Sequence, residues 1–292
     1  MEQRQRAVVT GATTGIGEAI TRRLAADGMT VVMVGRDEER LDQARRRVLA
    51  AVPDADLEAE RADLSLREQV RALADRLVNR SLPDVVISNA AVIADVADLT
   101  VEGVQRSLAT NHLAPYLLLR RLAEAIGEAS ARFVVVGADP AGLSRVPVDL
   151  DDLGFRTGRG LGPVPSFRPF LAYGRTKNMN AMFVYELARR LAHSRITVNG
   201  AHPGIVKRTG LGRDARGALR IFGSLLERSS RTLEPDDGAD TPAWLASAPE
   251  VEGVTGRFFV RREQVPTAAH TTDVERCARL WVESARLVGL PD

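Results

Sequence analysis

Residues 8 to 20 read VVTGATTGIGEAI, and this stretch restricts the possible folds more than any other part of the chain. An apolar run gives way to Gly11, Gly15 and Gly17, spaced G-x-x-x-G-x-G, and an amphipathic pattern follows at once. Glycines at a strand-to-helix turn let the backbone bend tightly and approach a ligand closely. The helix that begins there points its free N–H groups, and the positive end of its dipole, at whatever sits in the turn. After a first strand and before a helix, the pattern signals a dinucleotide pyrophosphate.

The remainder of the chain repeats the same grammar. Apolar runs at 7–10, 30–34, 57–61, 84–88, 132–136, 196–202 and 256–260 read as strands, mostly β-branched and apolar on both faces. Such runs suit a parallel sheet covered on each side. Helical patterns fall between them at about 15–28, 37–52, 66–79, 102–128, 172–193 and 272–288. The expectation is an α/β fold: one Rossmann-type domain over residues 1–292, doubly wound, with a mostly parallel seven-stranded sheet and helices on both faces. Two irregular segments, about 139–171 and 205–240, interrupt the rhythm, the second with a helix expected near 213–227. Both follow strands at the ligand-binding edge of such sheets, where long loops serve as substrate loops.

Composition narrows the partners. The chain has 292 residues, is 45% hydrophobic, and carries 40 basic against 38 acidic side chains with no basic block. A small-molecule substrate is therefore expected, with no nucleic acid and no membrane as partner. Cys277 is the single cysteine, and no apolar run reaches the roughly 20 residues of a membrane span. The first strand-like run begins at residue 7, so no signal peptide is expected and the localisation reads as cytoplasmic.

Of the 40 basic residues only Lys177 and Lys207 are lysines, and Lys177 stands four places after Tyr173 in AYGRTK. At that spacing both side chains share a helical face. A neighbouring ammonium favours the phenolate, so the expectation is a tyrosine tuned downward for general acid–base work, on the first turn of its helix. The second strand ends VVMVGRDEE: Gly35 stands where an NAD-binding fold offers a carboxylate to the ribose, and Arg36 follows. An arginine there accommodates a 2′-phosphate, so NADP(H) is favoured over NAD(H), with Asp37 one place too late for the acid.

In order, TGATTGIG, SNAA, TNHLAPYLLLRRL, YGRTK and HPGIVKRTG resemble the short-chain dehydrogenase/reductase family, and the tail from Gly256 resembles its retinol dehydrogenase and protochlorophyllide-reductase-like branch. The resemblance implies a pyrophosphate held by Gly11, Thr13, Thr14, Gly15, Ile16 and Gly17. It implies adenine contacts from Asp63 and Leu64, and Asn89 and Ala90 along the cofactor. Tyr173 would be the acid/base and Lys177 the ribose ligand, with Asn111 holding a proton-relaying water. Pro203, Gly204, Val206 and Thr209 would lie at the nicotinamide. His112 and His202 flank motifs and read as packed or solvated histidines, and Cys277 as packing. Paired helices of the family imply a homodimer or homotetramer.

The chain departs from the family pattern at three places. Ala91 replaces a glycine, and Arg208 takes the position of a Thr or Ser, leaving Thr209 one place on. Where the fifth strand should run into two serines, the second contacting the substrate carbonyl, Gly137 and Ala138 stand instead. Losing such a donor typically costs about 2.7–4 kcal/mol of transition-state stabilisation. Ser144, Ser166 or a loop N–H could replace it, the substrate could carry its own hydrogen bond, or the protein could bind cofactor without turnover. The reading is an NADPH-dependent reduction of a carbonyl, or the reverse oxidation, on a small and possibly polycyclic biosynthetic substrate. A non-redox dehydratase or isomerase, or a cofactor-binding regulatory protein, are the alternatives. Phe155, Arg156, Arg159, Phe167, Arg168 and Phe170 in the long loop read either as ligand contacts or as a solvated loop.

Overall fold

The computed structural model describes residues 4–139, 146–207, 210–211 and 232–292. Its sheet has the strand order β3-β2-β1-β4-β5-β6-β7-β8. The strands are β1 Arg6–Thr10, β2 Thr30–Gly35, β3 Asp56–Arg61, β4 Val85–Ser88, β5 Ala131–Val136, β6 Ile196–His202, β7 Arg257–Val260 and β8 Glu263–Gln264. All neighbours are parallel except β7 and β8. The class is as expected, and the count is eight rather than seven. β8 is two exposed residues paired to β7 in a hairpin, too short and too polar to carry a periodic signal.

Every residue of β1 is buried, because helices cover both faces of the sheet. Successive side chains alternate between two cores, as the pleat requires. Ala7, Val9, Val31 and Met33 face α1 (Gly15–Ala26), α2 (Glu38–Ala51) and α6 (Pro235–Ser247). Val8, Val32, Val86 and Phe133 face α3 (Arg67–Arg80), α4 (Ala114–Ile126), α5 (Arg168–Arg190) and α7 (Val274–Val288). Strand order reverses between β1 and β4, which opens a crevice at their C-terminal ends where ligands of such sheets bind.

Two expected helices take other forms. The pattern over 102–128 is broken: a short turn at Arg106–Leu108 and a π-helical turn at Ala109–Leu113 precede α4. Pro115 lies in the first turn of α4 and has no N–H to offer Asn111, four residues back, so the regular ladder cannot run through. Helix α5 starts at Arg168, earlier than the expected 172, because Pro169 is favourable in a first turn. Tyr173 thus lies on the second turn, not the first. The helix expected near 213–227 lies outside the described residues.

The long loop is partly packed over 146–171, with Arg156 and Arg159 exposed. Phe155 and Leu161 are buried in the core, so Phe155 is not a free ligand contact. Asp152 accepts from the N–H groups of Arg156 and Thr157, and Arg175 of α5 donates to the carbonyls of Arg159 and Gly160. Finally α7 lies along α5 and buries Cys277, Leu280, Trp281 and Val288. Each large apolar side chain so buried is worth about 1.5–3 kcal/mol, enough to hold the helix down. Among the described residues no helix is long and apolar enough to cross a membrane.

Candidate active site and cofactor cradle

At the C-terminal end of β1 the chain turns through Gly11 and Gly15, both with positive φ. Gly17 cannot carry a side chain: a Cβ there would lie 2.2 Å from the Gly11 carbonyl oxygen and 2.6 Å from Asn89 Nδ2. Asn89 ties the turn to β4, donating from Nδ2 to the Thr10 carbonyl at 3.0 Å, while its N–H and that of Ala90 reach Thr10 Oγ1. Thr14 precedes α1 without capping it by its side chain, which leaves the first N–H groups of α1 facing the turn. This is the geometry of an anion cradle.

The far end of the crevice is basic. A Cβ on Gly35 would come within 2.8 Å of Thr13 Cγ2 and 3.1 Å of Leu41, so a side chain at that position would have to displace them. Asp37 is the N-cap of α2, its carboxylate accepting from the Arg40 N–H at 3.0 Å. Arg36 is exposed. Arg61, opposite Gly35 on β3, donates to the Arg36 carbonyl and adds a second guanidinium that the sequence reading had not singled out. Asp63 accepts from the Ser65 N–H through Oδ1, with Leu64 half-buried beside it.

Tyr173 and Lys177 are brought together and buried, at 7% and 5% exposure. Lys177 Nζ sits 5.6 Å from the tyrosine ring centre and donates to the Val136 carbonyl at the end of β5 at 2.8 Å. The expectation of a tyrosine tuned downward is not met. Burial dominates and pushes the Tyr173 hydroxyl well above its ordinary value, while the same burial lowers Lys177 to about 8. Tyr173 therefore keeps its proton at neutral pH, which is the state of a general acid. Asn111 is the third member. Its Oδ1 accepts from the Val92 N–H and its Nδ2 donates to the Val92 carbonyl and to Thr176 Oγ1. Thr176 in turn donates to the Tyr173 carbonyl at 2.7 Å.

Ala138 is buried beside this group and lines a cavity with room for about one water, together with Asp139, Lys177, Asn178, Ala181, Phe258, Thr267 and Thr271. Gly137 next to it makes room for an aromatic ring. A Cβ on Gly137 would lie 2.7 Å from Phe258 Cζ, and one on Gly200 would lie 2.4 Å from Phe258 Cδ2. Ser144 and Thr209 lie outside the described residues, as does Arg208. Ser166 lies in the short helical turn before α5.

After β6 the chain turns at Gly204, whose φ is positive. Val206 bridges to Leu233. A Cβ on Gly238 would meet Val206 at 2.6 Å, and Ile16 and the Pro203 carbonyl at 3.4 Å, so the first turn, the Pro203–Val206 segment and α6 converge at one point. Gly238 and Leu233 were not legible from the sequence, since neither belongs to a motif. Burial holds His202 below its usual value, and its Nδ1 has no hydrogen-bond partner among the described residues. Cys277 is buried against α5 and donates to the Thr271 carbonyl, as a packing residue would.

The short chain dehydrogenase family model matches residues 5–148. A provisionally assigned daunorubicin C-13 ketoreductase from Streptomyces sp. (strain C5) is 36% identical over 97% of this chain and 92% of its own length. Retinol dehydrogenase 13 of Homo sapiens is 32% identical over 97% of this chain and 84% of its own. Among solved structures, an uncharacterised protein of Mycobacterium paratuberculosis superposes with a TM-score of 0.75 at 27% identity, covering 98% of this chain and 94% of that one. The chain belongs to the short-chain dehydrogenase/reductase family, in the branch that includes the retinol dehydrogenases.

Proposed function

We propose that this protein is an NADP(H)-dependent carbonyl reductase, with Tyr173 as general acid. The observation that carries the reading is the buried pairing of Tyr173 with Lys177 at the C-terminal end of β5. The residues present fit such a cofactor. The cradle excludes side chains at Gly11 and Gly17, and the uncapped start of α1 can receive a pyrophosphate. Arg36 and Arg61 suit a 2′-phosphate, and the crowded Gly35 position and the engaged Asp37 disfavour a ribose-binding acid. A structure of a provisionally assigned NAD(P)-dependent gluconate 5-dehydrogenase from Beutenbergia cavernae, 25% identical with a TM-score of 0.67, holds NADP at low occupancy.

When bound, the cofactor supplies the hydride. Tyr173 donates its proton to the carbonyl oxygen, and its burial keeps that proton in place until substrate arrives. Lys177 is anchored by the Val136 carbonyl and keeps two further N–H donors for ribose hydroxyls. Its charge stabilises the tyrosinate as the proton leaves. The Asn111 carbonyl would hold a water that returns the proton. No side-chain donor stands at Ala138, so the substrate's own hydrogen bond or a loop group completes the carbonyl site. The ketoreductase relative favours a ketone as substrate.

The test is NADPH oxidation against a panel of ketones, aldehydes and enones, with Tyr173→Phe as control. Turnover should collapse in the variant by about 10²–10⁴-fold, while NADPH binding, followed by fluorescence, survives. Full turnover by Tyr173→Phe would reject the mechanism, and product formation without NADPH consumption would favour the non-redox reading.

A further inference from the structure

The last helix is joined to the candidate site by polar contacts that the assigned roles leave unused. Ser284 of α7 is fully buried, and its Oγ lies 2.8 Å from Nε2 of His112. The other ring nitrogen, Nδ1, lies 3.3 Å from Asn180 Oδ1 on α5. Asn180 Nδ2 donates to the main-chain carbonyl of Asn111 at 2.8 Å.

The direction of every bond follows from chemistry. A carbonyl only accepts, so the Asn180 amide nitrogen must face Asn111 and its oxygen must face His112. An amide oxygen also only accepts, so His112 carries its proton on Nδ1. In the neutral ring Nε2 is then the acceptor, and the Ser284 hydroxyl donates to it. Burial holds His112 neutral, and its ring neighbours Tyr116 and Phe183 carry no charge. The chain runs one way, from Ser284 through His112 and Asn180 to the Asn111 carbonyl. Linked donors and acceptors of this kind polarise one another.

The end point matters because of Pro115. In a regular helix the Asn111 carbonyl would accept from the N–H four residues on, and proline has none. Asn180 supplies a donor to that oxygen instead. The side chain of Asn111 is meanwhile spent on Val92 and on Thr176, which holds the Tyr173 carbonyl. Asn111 thus joins the Tyr173–Lys177 turn to α7.

We propose that the C-terminal helix belongs to the positioning apparatus of the site: Ser284, acting through His112 and Asn180, orients and polarises the Asn111 carbonyl that serves the proton relay. Ser284, His112 and Asn180 are positioning residues. They touch neither substrate nor cofactor, and the proposal rests on the carbonyl-reductase reading for the role of Asn111.

Two measurements test it. Nitrogen-15 NMR of the unaltered protein at pH 7.5 reads the tautomer of His112, one of only four histidines. The expected result is the Nδ1–H form, the reverse of the ordinary preference of neutral imidazole, and an Nε2–H ring would overturn the proposal. Kinetics of Ser284→Ala should then show kcat lowered about five-fold, the order of one neutral hydrogen bond. KM and NADPH affinity should stay unchanged, and the pH profile of kcat should be displaced. A merely structural serine would lower the melting temperature and leave that profile in place, which also overturns the proposal. If the unaltered protein does not consume NADPH, the carbonyl-reductase reading fails instead, and the tautomer still decides whether the chain of bonds exists.

Discussion

The buried His112 makes stability depend on pH in a way that a single substitution removes. The ring is completely enclosed, and burial holds its value at about 4 against an ordinary 6.5, outweighing the opposing contact with Asn180. The folded protein therefore resists protonation that the unfolded chain accepts. A group depressed in this way contributes its full stability above pH 6.5 and loses it as pH falls toward 4. Linkage over that interval gives a loss of about 2 kcal/mol by pH 5 and about 3 kcal/mol by pH 4. The comparison is urea unfolding of the unaltered protein and of His112→Asn at pH 7.5, 6.0 and 5.0. The variant keeps an amide near the Nδ1 position and cannot titrate. It should be the less stable of the two at pH 7.5, and the gap should narrow by about 2 kcal/mol at pH 5. His202 and His270 are also held low by burial, but they are common to both proteins and cancel. Parallel stability profiles would refute the reasoning, because they would mean that His112 is hydrated or already charged in the native state.

Two other predictions concern the cofactor and the missing hydroxyl. Arg36→Ala should weaken NADPH binding about tenfold or more, as loss of a charged hydrogen bond does, and leave NADH untouched; equal affinities for the two in the unaltered protein would dismiss the 2′-phosphate assignment. Ala138→Ser should raise the rate on simple ketones by up to about 10²–10³-fold but not on the natural substrate, whereas Gly137→Ser should destabilise the fold by about 1–3 kcal/mol through overpacking against Phe258; paired assays and melts distinguish the two positions.

Much of this architecture was legible in the sequence because the information was local. The glycine spacing, the order of strands and helices, and the pairing of Tyr173 with Lys177 each depend on neighbours within a turn or two. What was not legible depends on distance. Ser284 and His112 are 172 residues apart, and no periodicity connects them. The strand β8 is too short to declare itself. Pro115 did announce a break in the helical pattern of 102–128, but the pattern was read as continuous. The tyrosine was expected to titrate low from its lysine alone, and desolvation, which exists only once the chain is packed, reverses that direction. Asp37 stood one place too late for the ribose acid, and its engagement as a helix cap became visible only in the fold.

Phe258 lies across Gly137 and Gly200, filling the space that a side chain at either position would need. Three positions, on β6, on β7 and just past the end of β5, are therefore sterically coupled. A chain that took serine at 137 while keeping the phenylalanine would be strained, and one that first shrank residue 258 would hold a cavity. Among near relatives, an aromatic residue at 258 should accordingly keep company with glycine at both 137 and 200. The glycine just past the end of β5 is then one third of a steric lock, which Phe258 closes against a side chain at 137.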